Sequence, residues 1–317
     1  MSFSSEVKEE LSRQMPVSRH CCVAEIAALI SCCGELVHNR KGTLALKVHT
    51  ENLTVARKYF MLIKKTFQVK TEILVKRNVS LKKSKNYFIY IRLQHDVEKI
   101  LKATKLLKGQ DFHSIELVPS HLVTQNTCCK RAFLRGVFLA TGSITDPSKT
   151  YHFEIAAPSQ VKAAYIAEIL QSFQIDAKIV VRKKYYVVYV KEGSQIVDVL
   201  NIMEAHLALM NLENVRILKE MRNSINRQVN CEAANINKTV VAASKQIEDI
   251  LYIRDRVGLS ELTEGLEDVA RLRIEQPDAS LKELGALLNP PLGKSGVNHR
   301  LRRISKIADS LREQKEE

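Results

Sequence analysis

The chain repeats itself, and the repeat constrains the fold more than any other feature. Residues 26–34 (IAALISCCG) align with 134–142 (LRGVFLATG), so that Ala28 falls on Gly136, Cys32 on Ala140 and Gly34 on Gly142. A vicinal cysteine pair precedes each stretch, Cys21-Cys22 and Cys128-Cys129, with a slip of one residue. Downstream, Val55, Tyr59, Ile63 and Phe67-Gln68 correspond to Val161, Tyr165, Ile169 and Phe173-Gln174. A repeat of about a hundred residues is a duplicated domain, because solenoid repeats are far shorter. Gly136 and Ala140, four apart, share one face of a helix, and so small a face lets a second helix backbone come close. Gly142 is expected to stop that helix. Two such helices, one per copy, are expected to pack at the axis of a pseudo-twofold unit.

Each copy then carries the same order of elements. In the first, 35–39 and 43–49 read as a hairpin turning at Lys41-Gly42, 52–66 as a helix, 69–77 and 86–93 as strands, and 96–107 as a closing helix. The second gives helix 128–141, strands 143–145 and 151–156, helix 159–172, strands 177–183 and 185–190, and helix 194–203. The expected class is α+β: an αββαββα unit in two copies with antiparallel sheets, then an all-α domain. Such sheets need cover on one face only, which leaves the other free for charged side chains. The domain bounds read from this are 1–108, 109–215, an Asn/Arg-rich linker 216–235, and a helical domain 236–317. The opening MSFSSEVKEELSRQ predicts a capped amphipathic helix with Phe3, Val7 and Leu11 on its inner side.

The net charge is +14, and it is unevenly placed. Residues 1–220 carry 33 Lys and Arg against 20 Asp and Glu, whereas residues 221–317 carry 16 against 15. The densest run spans 64–108 and includes Lys76, Arg77, Lys82 and Lys83, which become candidates for non-specific phosphate contact. No run of eighteen apolar residues and no signal peptide is seen, so a cytoplasmic protein with no membrane partner is expected, and nucleoid-associated if the positive charge meets DNA. Seven cysteines, an odd number, fit a reducing compartment. Vicinal pairs lack the C-x-x-C spacing of a zinc site, so Cys21, Cys22, Cys32 and Cys33 are expected as buried small residues, with no metal and no cofactor.

The stretch 214–239, NVRILKEMRNSINRQVNCEAANINKT, is rich in Asn and Arg. Such composition marks turns and caps, or alternatively a segment held against phosphate or a neighbouring domain. Helices are then expected over 233–254, 266–274, 281–288 and 295–311. Ser280 and Glu283 stand at capping-box positions, and Gly285 lets the last two helices approach. On the final helix Val297, Leu301 and Ile304 form an inward stripe, which turns Ser295, His299, Arg302, Arg303 and Lys306 outward, flanked by Asn298 and Arg300. From Lys294 to Lys306 there are five Lys and Arg and no acid. That is the chemistry of a recognition helix: cations for phosphates, forked donors for purine edges. The pair is a helix-turn-helix with a long turn, and resembles the C-terminal helices of the bacterial sigma-factor domain that reads the −35 promoter element.

The paired small-faced helices and the αββαββα order resemble the two-repeat LAGLIDADG homing endonucleases. That resemblance implies two sheets forming a saddle over DNA, with an acidic residue at the eighth motif position of each helix to hold divalent metal. Here those positions are Cys33 and Thr141, and neither can replace a carboxylate for Mg²⁺. Glu35 and Asp146 are the nearest acids, both beyond the glycine. With the helix-turn-helix added, the whole chain resembles the WhiA family of bacterial sporulation regulators. The segments that carry this are MSFSSEVKEEL, RGVFLATGSI, MRNSINRQVNCEAANINKT and LKELGALL with KSGVNHRLRRI. The resemblance implies a non-enzymatic regulator that binds double-stranded promoter DNA, tied to sporulation, cell division or chromosome segregation. Two alternatives stay open: a nuclease using Glu35 and Asp146 in a displaced site, and a first domain that docks on RNA polymerase or another regulator.

Overall fold

The computed structural model describes residues 2–38, 42–77, 85–106 and 117–313. They divide into two compact units, residues 1–219 and 220–317. In the first, α1 (Phe3–Arg13) is capped by Ser2 and buries Phe3, Val7 and Leu11, as its period predicts. Then come α2 (Arg19–Cys33), β1 (Gly34–His38), β2 (Leu44–Thr50), α3 (Leu53–Phe67), β3 (Glu72–Arg77), β4 (Lys85–Ile91) and α4 (Gln94–Ala103). The second copy runs α5 (Thr127–Thr141), β5 (Gly142–Ile144), β6 (Phe153–Ala157), α6 (Gln160–Gln171), β7 (Lys178–Arg182), β8 (Tyr185–Val190) and α7 (Gly193–Met203). Both sheets are antiparallel with equivalent strand orders, β1-β2-β4-β3 and β5-β6-β8-β7. The duplication is therefore real in topology as well as in sequence.

The α2–α5 pair is the most extensive helix contact of this unit, and one apolar core joins both copies around it. The small residues act where the repeat places them. A Cβ on Gly136 would sit 2.7 Å from the Ala28 Cβ and 2.7 Å from the Glu25 carbonyl oxygen, so only glycine admits this approach. Gly34 and Gly142 end their helices for a different reason from the one expected. Their φ values, −84° and −74°, are open to any residue, so neither is a left-handed cap. The chain passes straight from helix to strand there, and a Cβ on Gly142 would fall 2.7 Å from the Phe138 Cα. Space, not conformation, selects glycine.

The helix α8 (His206–Arg256) runs unbroken for 51 residues. The expectation of turns and caps over 214–239 is thereby corrected. Nothing between 206 and 256 is Gly or Pro, and asparagine's weak helix propensity is easily overridden. Side-chain pairs one turn apart support it, such as Gln228 to Glu232 at 3.1 Å. Every residue from 220 to 242 is exposed.

The second unit holds the end of α8 with α9 (Glu264–Glu275), α10 (Leu281–Leu287) and α11 (Lys294–Glu313). Its own core is built from Ile250, Ile253, Leu266, Val269, Leu284, Val297, Leu301 and Ile304, among others. The capping box at Ser280 and Glu283 forms as read from the sequence. Gly285 acts on the turn more than on the helix: a Cβ there would meet the Leu292 carbonyl oxygen at 2.1 Å, while Leu292 N donates to Gly285 O at 2.8 Å. Arg273, nearly fully buried, donates to Gln246 Oε1 at 2.9 Å and to the Ala279 carbonyl at 2.7 Å, joining α8, α9 and the turn before α10.

Candidate nucleic-acid interface

The helix α11 presents the face its period predicts. Val297, Leu301 and Ile304 are buried at 0 or 1% exposure, which fixes the rotation of the helix on the core. Lys294, Ser295, His299, Arg302, Arg303 and Lys306 are then exposed, and Asn298 is half-buried. Among the described residues no carboxylate pairs with Lys294, Arg302, Arg303 or Lys306. Arg300 differs from its neighbours. Its Nη1 donates to the Gly265 carbonyl at 2.9 Å, so this guanidinium pins α11 to the start of α9.

The sheets carry a second basic surface. In the first sheet, Leu46, Val48, Ile89 and Ile91 are buried, which turns Lys47, His49, Phe88 and Tyr90 to the opposite face. Lys47 and Lys76 lie 5.6 and 5.4 Å from the Phe88 ring centre, and His49 stacks on the same ring at 4.7 Å. Acids are interleaved, however. Lys47 pairs with Glu35 at 2.6 Å, Arg92 with Glu72 at 2.6 Å, and in the second sheet Arg182 with Glu154 at 3.3 Å. Lys76 and Arg77 are both exposed on β3. Lys82 and Lys83 lie outside the described residues.

Cys33 and Thr141 end α2 and α5, as the motif alignment requires. Their surroundings are cationic. Lys8 faces Cys33, and burial lowers its ammonium from the ordinary value. Lys162 Nζ donates to the Ser31 carbonyl at 2.8 Å beside Cys32. Burial pushes the Cys33 thiol up to about 11 and the Cys32 thiol up to about 12. Glu35 is engaged with Lys47, and Asp146 is held below the usual carboxylate range by the Ser148 hydroxyl and by Ser148 N, which donates to it at 2.8 Å. Each acid is thus committed to a local partner.

Two clusters were not legible from spacing. Deep in the helix pair, Glu25 is fully buried and pairs with Lys58 and with Arg135 Nε at 3.2 Å. Arg135 Nη1 reaches Glu204 at 2.7 Å, and Lys58 Nζ donates to the Leu11 carbonyl at 2.8 Å. Burial lowers the Lys58 ammonium, and the Glu25 carboxylate opposes that. Glu25 and Arg135 sit mid-helix among apolar residues, and only their polarity in an otherwise buried stripe signalled them. At the amino ends of the same helices, His20, Cys21, Cys128 and Cys129 come together.

The matches to known proteins follow the same divisions. Residues 19–107 match the WhiA N-terminal LAGLIDADG-like domain, 130–222 the WhiA LAGLIDADG-like domain, and 225–308 the WhiA C-terminal HTH domain. A "Probable cell division protein WhiA" of Lachnoclostridium phytofermentans is 61% identical over 313 residues, covering 99% of this chain and 100% of the relative. Another of that name, from Alkaliphilus oremlandii, is 50% identical over 99% of each chain. The crystal structure of full-length DUF199/WhiA from Thermatoga maritima, 26% identical, matches with a TM-score of 0.59 over 98% of this chain and 99% of that one. No helix among the described residues is long and apolar enough to cross a membrane. Two LAGLIDADG-like units with four-stranded antiparallel sheets, followed by a helix-turn-helix region, make this chain a member of the WhiA family.

Proposed function

We propose that the chain is a non-enzymatic, site-specific regulator of transcription that binds promoter DNA on the nucleoid. Its process would be cell division, named in its relatives, or the sporulation and chromosome segregation that the family resemblance implies. The observation that carries this is the exposed face of α11. Lys294, Ser295, His299, Arg302, Arg303 and Lys306 stand on a helix locked to an ordered core, with no acid between Lys294 and Lys306. A helix of this kind reads base edges with His299 and Arg302 and holds phosphates with its lysines. Asn298 flanks that face, and Arg300 supports it from behind. In this reading 1–108 and 109–215 are the two LAGLIDADG-like halves, 216–235 connects, and 236–317 binds DNA.

The absence of nuclease activity is part of the proposal. Cys33 and Thr141 offer no carboxylate oxygen, Lys8 lies beside Cys33 and Lys162 beside Cys32, and Glu35 and Asp146 are occupied. The pairing of the outer-sheet cations with Glu35, Glu72 and Glu154 favours a second reading of the first unit alone. In it the sheets dock on RNA polymerase or another regulator. Genome-wide mapping of DNA bound by the full chain and by its Arg302→Ala variant tests the main reading. Discrete sites that vanish in the variant support it, and an unchanged occupancy map rejects it.

A further inference from the structure

The amino ends of α2 and α5 bring together four metal-ligating side chains that the DNA-binding reading does not use. His20 and Cys21 are the second and third residues of α2, and Cys128 and Cys129 are the second and third of α5. The internal repeat relates them. The offset that places Ala28 on Gly136 also places His20 on Cys128 and Cys21 on Cys129, which accounts for the slip between the two cysteine pairs. The cluster is thus a dipeptide from each copy, closed across the helix pair. It lies about 20 Å along α2 from Cys33, at 1.5 Å per residue.

His20 Nδ1 is 3.1 Å from Cys129 Sγ, 3.4 Å from Cys21 Sγ and 4.0 Å from Cys128 Sγ. All four ligand atoms lie within 4.8 Å of one another. Zinc bonds of about 2.3 Å to sulfur and 2.0–2.1 Å to nitrogen give a tetrahedron with edges of about 3.5–3.8 Å. The separations straddle that value, so a small adjustment, lengthening the shortest and closing the longest, would seat the ion. The donor set is three thiols and one imidazole with no hard oxygen, which selects zinc over magnesium or calcium. All four cysteines of the two pairs are free thiols, but Cys22 turns away and donates to the Pro16 carbonyl at 3.4 Å. Cys21 and Cys129 are buried while His20 and Cys128 are exposed, and a cleft of about 570 Å³ lined by Arg19, His20, Asn126 and Cys129 offers a way in.

We propose that His20, Cys21, Cys128 and Cys129 form a structural zinc site that ties the two LAGLIDADG-like halves together at the head of the helix pair. Four protein ligands leave no open position, so the ion is structural and not catalytic. Binding releases the thiol protons and cross-links two segments that are remote in sequence, so it stabilises the first unit.

The test uses the full chain, expressed with zinc and purified without chelator, and reads metal content by elemental mass spectrometry. The expected result is one equivalent of zinc, retained in Cys22→Ser and Cys231→Ser and absent from Cys128→Ser and His20→Ala. The two ligands removed are exposed, so circular dichroism should show both variants folded. Exchange with Co²⁺ should give sulfur-to-cobalt charge-transfer absorption in the wild type, Cys22→Ser and Cys231→Ser but not in Cys128→Ser or His20→Ala, and chelation should lower the melting temperature of the wild type. Wild-type protein holding no more zinc than Cys128→Ser, with no cobalt–thiolate absorption, overturns the proposal. So does a disulfide between α2 and α5 in protein purified under reducing, zinc-replete conditions, which would make the cluster a redox pair.

Discussion

The exposed face of α11 and the outer faces of the two sheets are both basic, but they differ in what their cations already touch. On α11, Lys294, Arg302, Arg303 and Lys306 have no carboxylate partner among the described residues. On the sheets, Lys47, Arg92 and Arg182 each hold an acid at 2.6–3.3 Å. The first 220 residues carry nearly all the net charge, yet these three outer-face cations are each paired with an acid, while Lys76 and Arg77 are exposed on β3. Net charge steers an approaching polyanion, whereas specific binding needs donors that are free when it arrives. On the proposed reading, the small, nearly neutral second unit is the part that reads DNA, and the net charge of the first only steers the approach.

The largest effect should separate the two regions outright. Glu25→Ala leaves Lys58 and Arg135 buried without their shared carboxylate, and breaking a buried pair costs about 3–5 kcal/mol. Hydrogen exchange should show α2 and α5 opening more readily, while the second unit, with its own core, keeps its protection. Equal loosening of α9–α11 would mean the units do not fold independently.

Next in size is the recognition face. His299→Ala or Arg302→Ala should weaken binding to a specific site by about 1–3 kcal/mol if each reads a base edge. Footprints of both variants indistinguishable from wild type would take α11 out of the interface.

Smaller changes should come from the cations that meet phosphate. Lys306→Ala should weaken all DNA about equally and flatten the salt slope by about 0.9 for each phosphate that is no longer neutralised. Lys76→Ala and Arg77→Ala do the same if the first sheet also meets DNA. An unaltered slope in these two, beside a reduced slope in Lys306→Ala, would assign the sheet to protein binding. Lys82 and Lys83 lie outside the described residues, and the same titration tests them.

The helix ends of the first unit should differ in reactivity from the exposed stretch of α8. Cys33, half-buried and with its thiol pushed up to about 11, should be alkylated more slowly near neutral pH than the exposed Cys231 of α8, measured by peptide mass spectrometry. Fast labelling of Cys33 would show the helix ends open to solvent. Duplex DNA with Mg²⁺ or Mn²⁺ should remain uncut. Cleavage that grows with time and disappears in Glu35→Gln or Asp146→Asn would restore the nuclease reading.

What the sequence determined by itself is what local periodicity and short-range sterics encode. The duplicated αββαββα order, the inner stripes of α1 and α11 and the capping box at Ser280 all follow from spacing within a few turns. Even the close approach at Gly136 was visible, because small residues recur at matched positions in both copies. Turn chemistry misled over 214–239, where many asparagines without one Gly or Pro form uninterrupted helix. Tertiary structure decided whatever depends on side chains brought together from distant elements. It paired Lys47 with Glu35, buried Glu25 between two cations, and sent Arg300 to the Gly265 carbonyl. It also brought Cys21 of one vicinal pair and both cysteines of the other, unlike any zinc motif in spacing, into one cluster with His20. The physical reason is common to all of these. A helix fixes which face a residue occupies, but only the packing of α2 on α5 decides which residues 108 positions apart in the chain share a few ångströms of space.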